Sequence, residues 1–316
     1  MDTKNLLALS MVKGIGPAFI KRHFLRIASD ANCYAIVNEH KPDQEDQVPL
    51  FLEEAERIIK DCADNGIEII SITSSEYPSC LKEISDPPCV LFVKGNKQLL
   101  NKCIAIIGTR NSSDLGNKIA EKLGTFFSKD YAICNGLVEG IDEHSIYVNE
   151  SILPNVVGII SGGLCYEETC SKHHVKIISD VLSAGGLIIT EFYPHVKEDI
   201  FSGSKASRIQ AGLSQGLILV QSPVDGGSKY TVSSFAKLGR AMGVIHYPSS
   251  KEYNDDIFGA NRLIVEKKNE GIAEMINLKT VSKVNVKSIT VLKGKNDYCS
   301  FVQRISEQNQ KLDLNF

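Results

Sequence analysis

Between Cys103 and Asp142 the chain reads CIAIIGTRNSSDLGNKIAEKLGTFFSKDYAICNGLVEGID, and no other stretch constrains the fold as much. The apolar run Cys103 to Ile107 breaks at Gly108-Thr109-Arg110 and gives way to helical spacing, with Leu115, Ile119 and Leu123 on one face. Ser112, Ser113 and Asp114 stand at the entry, where their side chains suit the free amides of a first helical turn. A second short apolar run, Tyr131 to Cys134, ends in Asn135-Gly136 ahead of another helix. Strand, glycine turn and helix N-terminus together make a cradle for anions, with exposed amides at the positive end of the helix dipole. Arg110 adds a permanent charge whose planar fork matches phosphate. The stretch therefore predicts a phosphate-bearing ligand, either a nucleotide or a polynucleotide backbone.

The pattern continues to about residue 276. Further strands are expected at Val156–Ile160, Leu187–Thr190, Leu217–Val220 and Val244–His246, with a last one at Leu263–Val265. Helices are expected at 114–129, 142–150, 173–184, 205–213, 230–241 and 270–277. Strands that are apolar throughout, instead of alternating, are covered on both faces. The fold class is thus α/β, an extended Rossmann-like parallel sheet wrapped by helices. Ligands of such sheets bind at the carboxyl ends of the strands.

Three regions divide the 316 residues. Residues 1–75 read as a small, mainly helical domain. Its Gly14-Ile15-Gly16-Pro17 turn has the look of a helix-hairpin-helix, although an ordinary tight turn in a bundle accounts for it as well. Residues 76–277 carry the sheet, entered through a bridging segment in which Pro87-Pro88 forbids regular structure and Val90–Val93 makes a short strand. Residues 278–316 form a short basic appendage, with an alternating strand from Thr280 to Leu292 and a helix over 297–310.

A net charge of −3 leaves any nucleic-acid affinity to a local basic surface. The nine cysteines are scattered, several inside apolar runs and none in C-x-x-C spacing, which reads as free thiols in a reducing compartment. No apolar run approaches the ~18 residues of a membrane span, and the N-terminus has no basic segment or cleavage site of the secretory kind. A cytoplasmic protein with no membrane partner is the expectation.

Glycine-rich or polar turns recur wherever a strand ends. They are Gly108-Thr109-Arg110, Asn135-Gly136, Ser161-Gly162-Gly163, Glu191, and Gln221-Ser222 leading to Gly226-Gly227-Ser228-Lys229. Between Lys197 and Arg240 six basic residues face three acids, among them Lys205, Arg208 and Lys229 near strand ends. Lys237 and Arg240 read as a solvated helix face. Catalytic signals are weak: His144 reads as an ordinary helix residue. His173 and His174, adjacent on a helix, point apart, so no metal site and no cofactor are expected.

These residues resemble the DNA-processing protein A (DprA/Smf) family, over roughly Tyr77 to Glu274. The resemblance rests on Tyr77-Pro78…Asp86-Pro87-Pro88, on Ile107-Gly108-Thr109-Arg110 and on Asn135-Gly136-Leu137-Val138-Glu139-Gly140-Ile141-Asp142. Thr190-Glu191-Phe192-Tyr193-Pro194, Arg208-Ile209-Gln210-Ala211-Gly212-Leu213-Ser214, Gly227-Ser228-Lys229-Tyr230-Thr231 and Gly259-Ala260-Asn261-Arg262-Leu263-Ile264 extend it. It implies a single-stranded DNA-binding protein that catalyses no reaction, forms a homodimer and loads a RecA-type recombinase during recombination or DNA uptake. By position it implies that Gly108, Thr109, Arg110, Gly162, Gly163, Lys205, Arg208, Gly227, Ser228 and Lys229 face the phosphates.

Three departures mark a divergent member. The family's R-N-R becomes Ala206-Ser207-Arg208, Glu139 stands in the second turn, and the last segment does not read as a winged helix. The competing reading is a nucleotide sensor, or a nucleoside-monophosphate hydrolase similar to the lysine-decarboxylase-like (LOG) enzymes. Ser234 occupies the position at which those enzymes carry their carboxylate.

Overall fold

A computed structural model of the chain describes residues 1–199 and 202–313, the side chains of 309–313 excepted. Its strands, in chain order, are β1 (Glu68–Ser71), β2 (Val90–Gly95), β3 (Cys103–Gly108), β4 (Ala132–Asn135), β5 (Tyr147–Val148), β6 (Ser151–Ile152), β7 (Val156–Ile159), β8 (Leu187–Thr190), β9 (Ser214–Gln221), β10 (Ala241–Ile245) and β11 (Ser288–Leu292). Nine of them form one sheet in the order β1-β2-β8-β7-β4-β3-β9-β10-β11, while β5 and β6 make a separate hairpin. β2 runs antiparallel to β1 and β8, and every other neighbouring pair in the large sheet is parallel.

The uniform apolarity of these strands has the expected cause. β4, β7 and β8 are buried along their whole length. Alternate residues of β3 feed opposite cores: Ile104 and Ile106 join one cluster, Ala105 and Ile107 the other. The helices Asp114–Phe127, Lys172–Ser183, Ser202–Leu213 and Gly259–Lys267 supply the cover. From β3 the chain winds through β4, β7 and β8 to one side, then returns to the other side of β3 with β9, β10 and β11. This reversal between β3 and β9 opens a crevice at the carboxyl end of the sheet, where doubly wound folds bind ligands.

Both flanking regions join this sheet. The N-terminal residues form the helices from Thr3–Met11 to Val48–Asp64. β1, an edge strand, follows them within residues read as mainly helical, because four residues of pattern EIIS are too short to declare a period. Gly14 takes φ +90° in the predicted turn, and Pro17 opens the next helix. In the last segment β11 pairs in parallel with β10, so this segment extends the sheet, and the helix Lys295–Asp313 follows. Leu263–Val265, expected as a strand, lies inside the helix Gly259–Lys267; only Ile264 of the three is fully buried, which a helix face explains and a core strand does not. The helix expected at 142–150 stops at Ile146, where the hairpin begins. No helix among the described residues is long and apolar enough to cross a membrane.

Candidate functional site

The turns that follow β3, β4, β7 and β9 converge on one cavity of about 790 Å3. Gly108, Thr109 and Arg110 line it after β3, Gly136 to Glu139 after β4, Ser161 after β7, and Gly227, Ser228, Tyr230 and Thr231 after β9. The helix Ser202–Leu213 adds Ser204, Ser207 and Gln210. A volume in this range suits a small ligand or one segment of a longer one.

Buried polar side chains hold the turns together, and these are the residues that sequence reasoning missed. Gln221 closes β9 onto the first turn: its carbonyl accepts from the Thr109 amide at 2.8 Å, its Oε1 accepts from the Ser113 amide at 3.0 Å, and its Nε2 donates to Ser113 Oγ at 2.9 Å. Gln210 spans from the Cys134 carbonyl (3.2 Å) to the Thr231 hydroxyl (3.3 Å), tying β4 to the helix Ser228–Phe235. Asn261 donates to the carbonyls of Leu219, Val220 and Ile245 and accepts from the Ser222 amide, which locks the ends of β9 and β10. The motif matches around these residues were the available signal, but nothing in the sequence named the partners.

The second turn is pinned to the first in the same way. Gly140 sits at φ +82°, ψ −127°, a conformation open to glycine, and a Cβ there would collide with the carbonyls of Thr109 and Arg110. Ile141 donates its amide to the Thr109 carbonyl at 3.2 Å. Asp142 is buried in the cavity wall and accepts from the Gly136 amide at 2.8 Å. Burial pushes its carboxyl up to about 7, against the downward pull of the Gly136 amide, the Arg110 charge and the Val138 amide. The Gly-Ile-Asp triplet thus builds the turn.

The ten residues expected at the phosphates divide into two groups. Gly108, Thr109, Arg110, Gly227 and Ser228 line the cavity together. Arg110 is exposed and makes no ion pair with any described residue. Ser228 opens the helix Ser228–Phe235; its hydroxyl is buried and has no hydrogen-bond partner among the described residues. A Cβ at Gly227 would meet nothing within 4 Å, so the backbone there is open to close approach. Tyr230, one turn on, is 52% exposed and presents an aromatic face at the same rim.

Gly162, Gly163, Lys205, Arg208 and Lys229 do not line the cavity. Gly163 is buried against the 193–196 segment, where its amide donates to the Val196 carbonyl at 2.8 Å and a Cβ would strike the carbonyls of Tyr193 and Pro194; Gly162 is buried beside it. Their glycine character serves loop packing. Lys205 and Lys229 flank the rim, their ammonium groups over Phe192 (5.4 Å) and Tyr230 (5.8 Å).

Arg208 is committed elsewhere. It forks onto Glu191 at 2.6 and 2.7 Å, donates through Nε to Asp86 at 2.9 Å, and is 12% exposed. Both acids belong to family-like motifs, and their role here is to hold this arginine. Arg240, read as a solvated helix residue, is buried as well. The helix ends at Phe235, and the guanidinium donates to the carbonyls of Cys80, Gly212 and Ser214 and to Glu83.

Charge in the cavity is mixed: Arg110, Glu139, Asp142 and Glu198 all line it, together with His173 and His174. The two histidines do diverge. His173 is exposed near Glu143, whereas His174 is buried, hydrogen-bonded through Nε2 to the Gly136 carbonyl at 3.1 Å, and within 4.8 Å of Cys170 and Glu198. One histidine of the pair therefore stands in a cluster that could hold a metal ion. Cys170 and Glu198 are distant enough in sequence that only the fold joins them.

A family model for DNA recombination-mediator protein A matches residues 55–281. The chain belongs to that family. Its resemblance extends to the DNA processing protein DprA of Bacillus subtilis, 31% identical over 199 residues, which are 62% of this chain and 66% of that one. The DNA processing protein DprA of Streptococcus pneumoniae is 30% identical over 176 residues, 55% of this chain and 61% of that one. The match thus spans just under two thirds of the length of these relatives. An X-ray structure of DprA from Streptococcus pneumoniae superposes with a TM-score of 0.70 at 21% identity, covering 95% of this chain and 98% of that one. A structure of DNA processing protein A from Helicobacter pylori, solved for its single-stranded DNA binding mode, gives a TM-score of 0.54 at 22% identity over 64% and 87%. The family's sheet and its winding are therefore those of this chain.

Proposed function

We propose that the chain binds single-stranded DNA across the carboxyl edge of its sheet and catalyses no reaction. Residues 76–277 carry the interface. The observation that carries this reading is the buried Ser228 hydroxyl at a helix N-terminus, without a partner among the described residues, in the same cavity as Arg110, which pairs with none of the described acids. Buried hydroxyls ordinarily have partners, and a phosphate oxygen supplies one here together with the dipole of the helix. Arg110 neutralises the neighbouring phosphate, Gly227 lets the backbone approach, and Tyr230 offers a face on which a base stacks. Lys205 and Lys229 at the rim attract the strand before it seats. Family membership and the Helicobacter pylori relative's single-stranded DNA binding support the choice of ligand. In the cell the protein acts in DNA processing and recombination in the cytoplasm, as a homodimer that delivers bound strand to a RecA-type recombinase.

Fluorescence anisotropy with a labelled single-stranded oligonucleotide tests this, with ATP, NAD and cyclic dinucleotides as competitors. Binding that weakens with salt is expected, with a slope in log–log form that falls by roughly one phosphate contact in Arg110→Ala. Tight uptake of one mononucleotide without oligonucleotide affinity would replace this reading by that of a nucleotide sensor, which the cavity's volume also suits. Ser234 in place of a carboxylate argues against hydrolysis by the related enzymes' route.

A further inference from the structure

At the rim of the cavity three side chains from two separate segments meet. Cys170 ends the short helix Tyr166–Thr169 in extended backbone just ahead of Ser171, the N-cap of the helix Lys172–Ser183; His174 lies in that helix's first turn, and Glu198 comes from the loop after β8. One potential ligand atom from each lies within 4.8 Å of the other two. His174 Nε2 is 3.1 Å from the Gly136 carbonyl, which cannot donate, so Nε2 carries a proton and Nδ1 is the nitrogen left to bind an ion. Nδ1 faces Glu198 Oε2 at 3.4 Å, so an ion seated between them replaces a shared proton. A carbonyl fixing the far nitrogen of a histidine is the usual outer support of a metal-ligating imidazole.

We propose that Cys170 Sγ, His174 Nδ1 and a Glu198 carboxylate oxygen form a site for a divalent ion of zinc type. A thiolate, an imidazole and a carboxylate are the donor set that zinc favours, and three protein ligands leave a tetrahedral ion one position for water or another oxygen. The thiolate and the carboxylate together balance the charge of the ion, so the filled site is neutral, as a partly buried one must be. Backbone contacts already hold the ligands in place. The Glu198 amide donates to the Thr169 carbonyl at 3.2 Å, Glu198 Oε1 accepts from the Ser171 amide at 3.1 Å, and the Ser171 hydroxyl caps the helix through the His174 amide. The ion fastens the 194–198 loop to the helix beside Gly136. Both His174 and Glu198 belong to the cavity wall, so the ion stiffens one side of the cavity. This inference does not rest on DNA as the ligand.

The test uses the full chain, free of affinity tag and stripped with chelator, titrated with Co2+ as a spectroscopic probe and then with Zn2+ in competition. One equivalent is expected to produce the near-ultraviolet thiolate-to-cobalt charge-transfer band, which Zn2+ removes. Cys170→Ser abolishes the band, His174→Ala and Glu198→Gln weaken binding at least tenfold, and Cys165→Ser leaves it unchanged. Zn2+ also raises the melting temperature of the unsubstituted chain and of Cys165→Ser, but not of Cys170→Ser. Absence of the band, or its persistence in Cys170→Ser, overturns the proposal. Equal behaviour of the Cys165 and Cys170 variants does the same.

Discussion

Replacing Arg208 with alanine separates two roles that the sequence leaves superimposed. The guanidinium forks onto Glu191 at 2.6 and 2.7 Å and reaches Asp86 at 2.9 Å, with exposures of 12% for Arg208 and 14% for Glu191. Removal leaves a nearly buried carboxylate without its counter-charge and beside a second one. Breaking such a pair costs about 3–5 kcal/mol. Asp86 is 40% exposed and regains water, which places the expected loss near the lower end, about 3 kcal/mol. In a chain of 316 residues that lowers the melting temperature by about 4–5 °C. The assay is urea or thermal unfolding followed by far-ultraviolet circular dichroism, since the chain has no tryptophan. Arg208→Lys retains the charge but not the fork and should lose roughly half as much. Arg208→Met combined with Glu191→Gln, which removes both charges, should recover part of the loss. Oligonucleotide affinity, measured well below the transition, is expected to change little in Arg208→Ala. An unchanged unfolding midpoint with affinity lost would show that Arg208 serves the ligand, and would refute the assignment of this arginine to the scaffold.

Three further outcomes follow from the cavity. Asp142 is raised from 3.8 to about 7, so its folded form keeps a proton that the unfolded chain gives up. Its contribution to stability is therefore full below about pH 4 and is lost as pH rises to 7, at most about 4 kcal/mol. Asp142→Asn should flatten the difference in unfolding free energy across that window, and an unchanged slope would mean that the carboxyl is ionised in the fold. Gly140→Ala should destabilise by about 1–3 kcal/mol from backbone strain alone. It should also weaken oligonucleotide binding by displacing the Thr109-Arg110 turn; a variant as stable as the parent by urea titration would contradict the packing described. Tyr230→Ala should cost about 1–3 kcal/mol of single-strand affinity if a base stacks there. Its unfolding midpoint should stay in place, because the side chain is 52% exposed.

The sequence by itself determined the architecture and the edge of the sheet at which the cavity opens. Continuous apolar runs such as Cys103–Ile107 and Leu187–Thr190 permit only strands covered on both faces, and glycine turns into capped helices permit few backbone paths. These are local rules, legible without knowledge of any distant residue. β1 and the helix around Ile264 escaped because runs of three or four residues carry no usable period.

What only the tertiary structure decided was which charges are spoken for. Arg110 and Arg208 look alike in sequence, yet one lines the cavity without an ion pair among the described residues while Glu191 and Asp86 claim the other across 17 and 122 residues of chain. The same holds for Arg240 among distant carbonyls and for Cys170, His174 and Glu198 at one rim. A cation's role depends on the nearest anion or carbonyl in space. That distance is set by how the whole sheet winds, so no local pattern of residues encodes it.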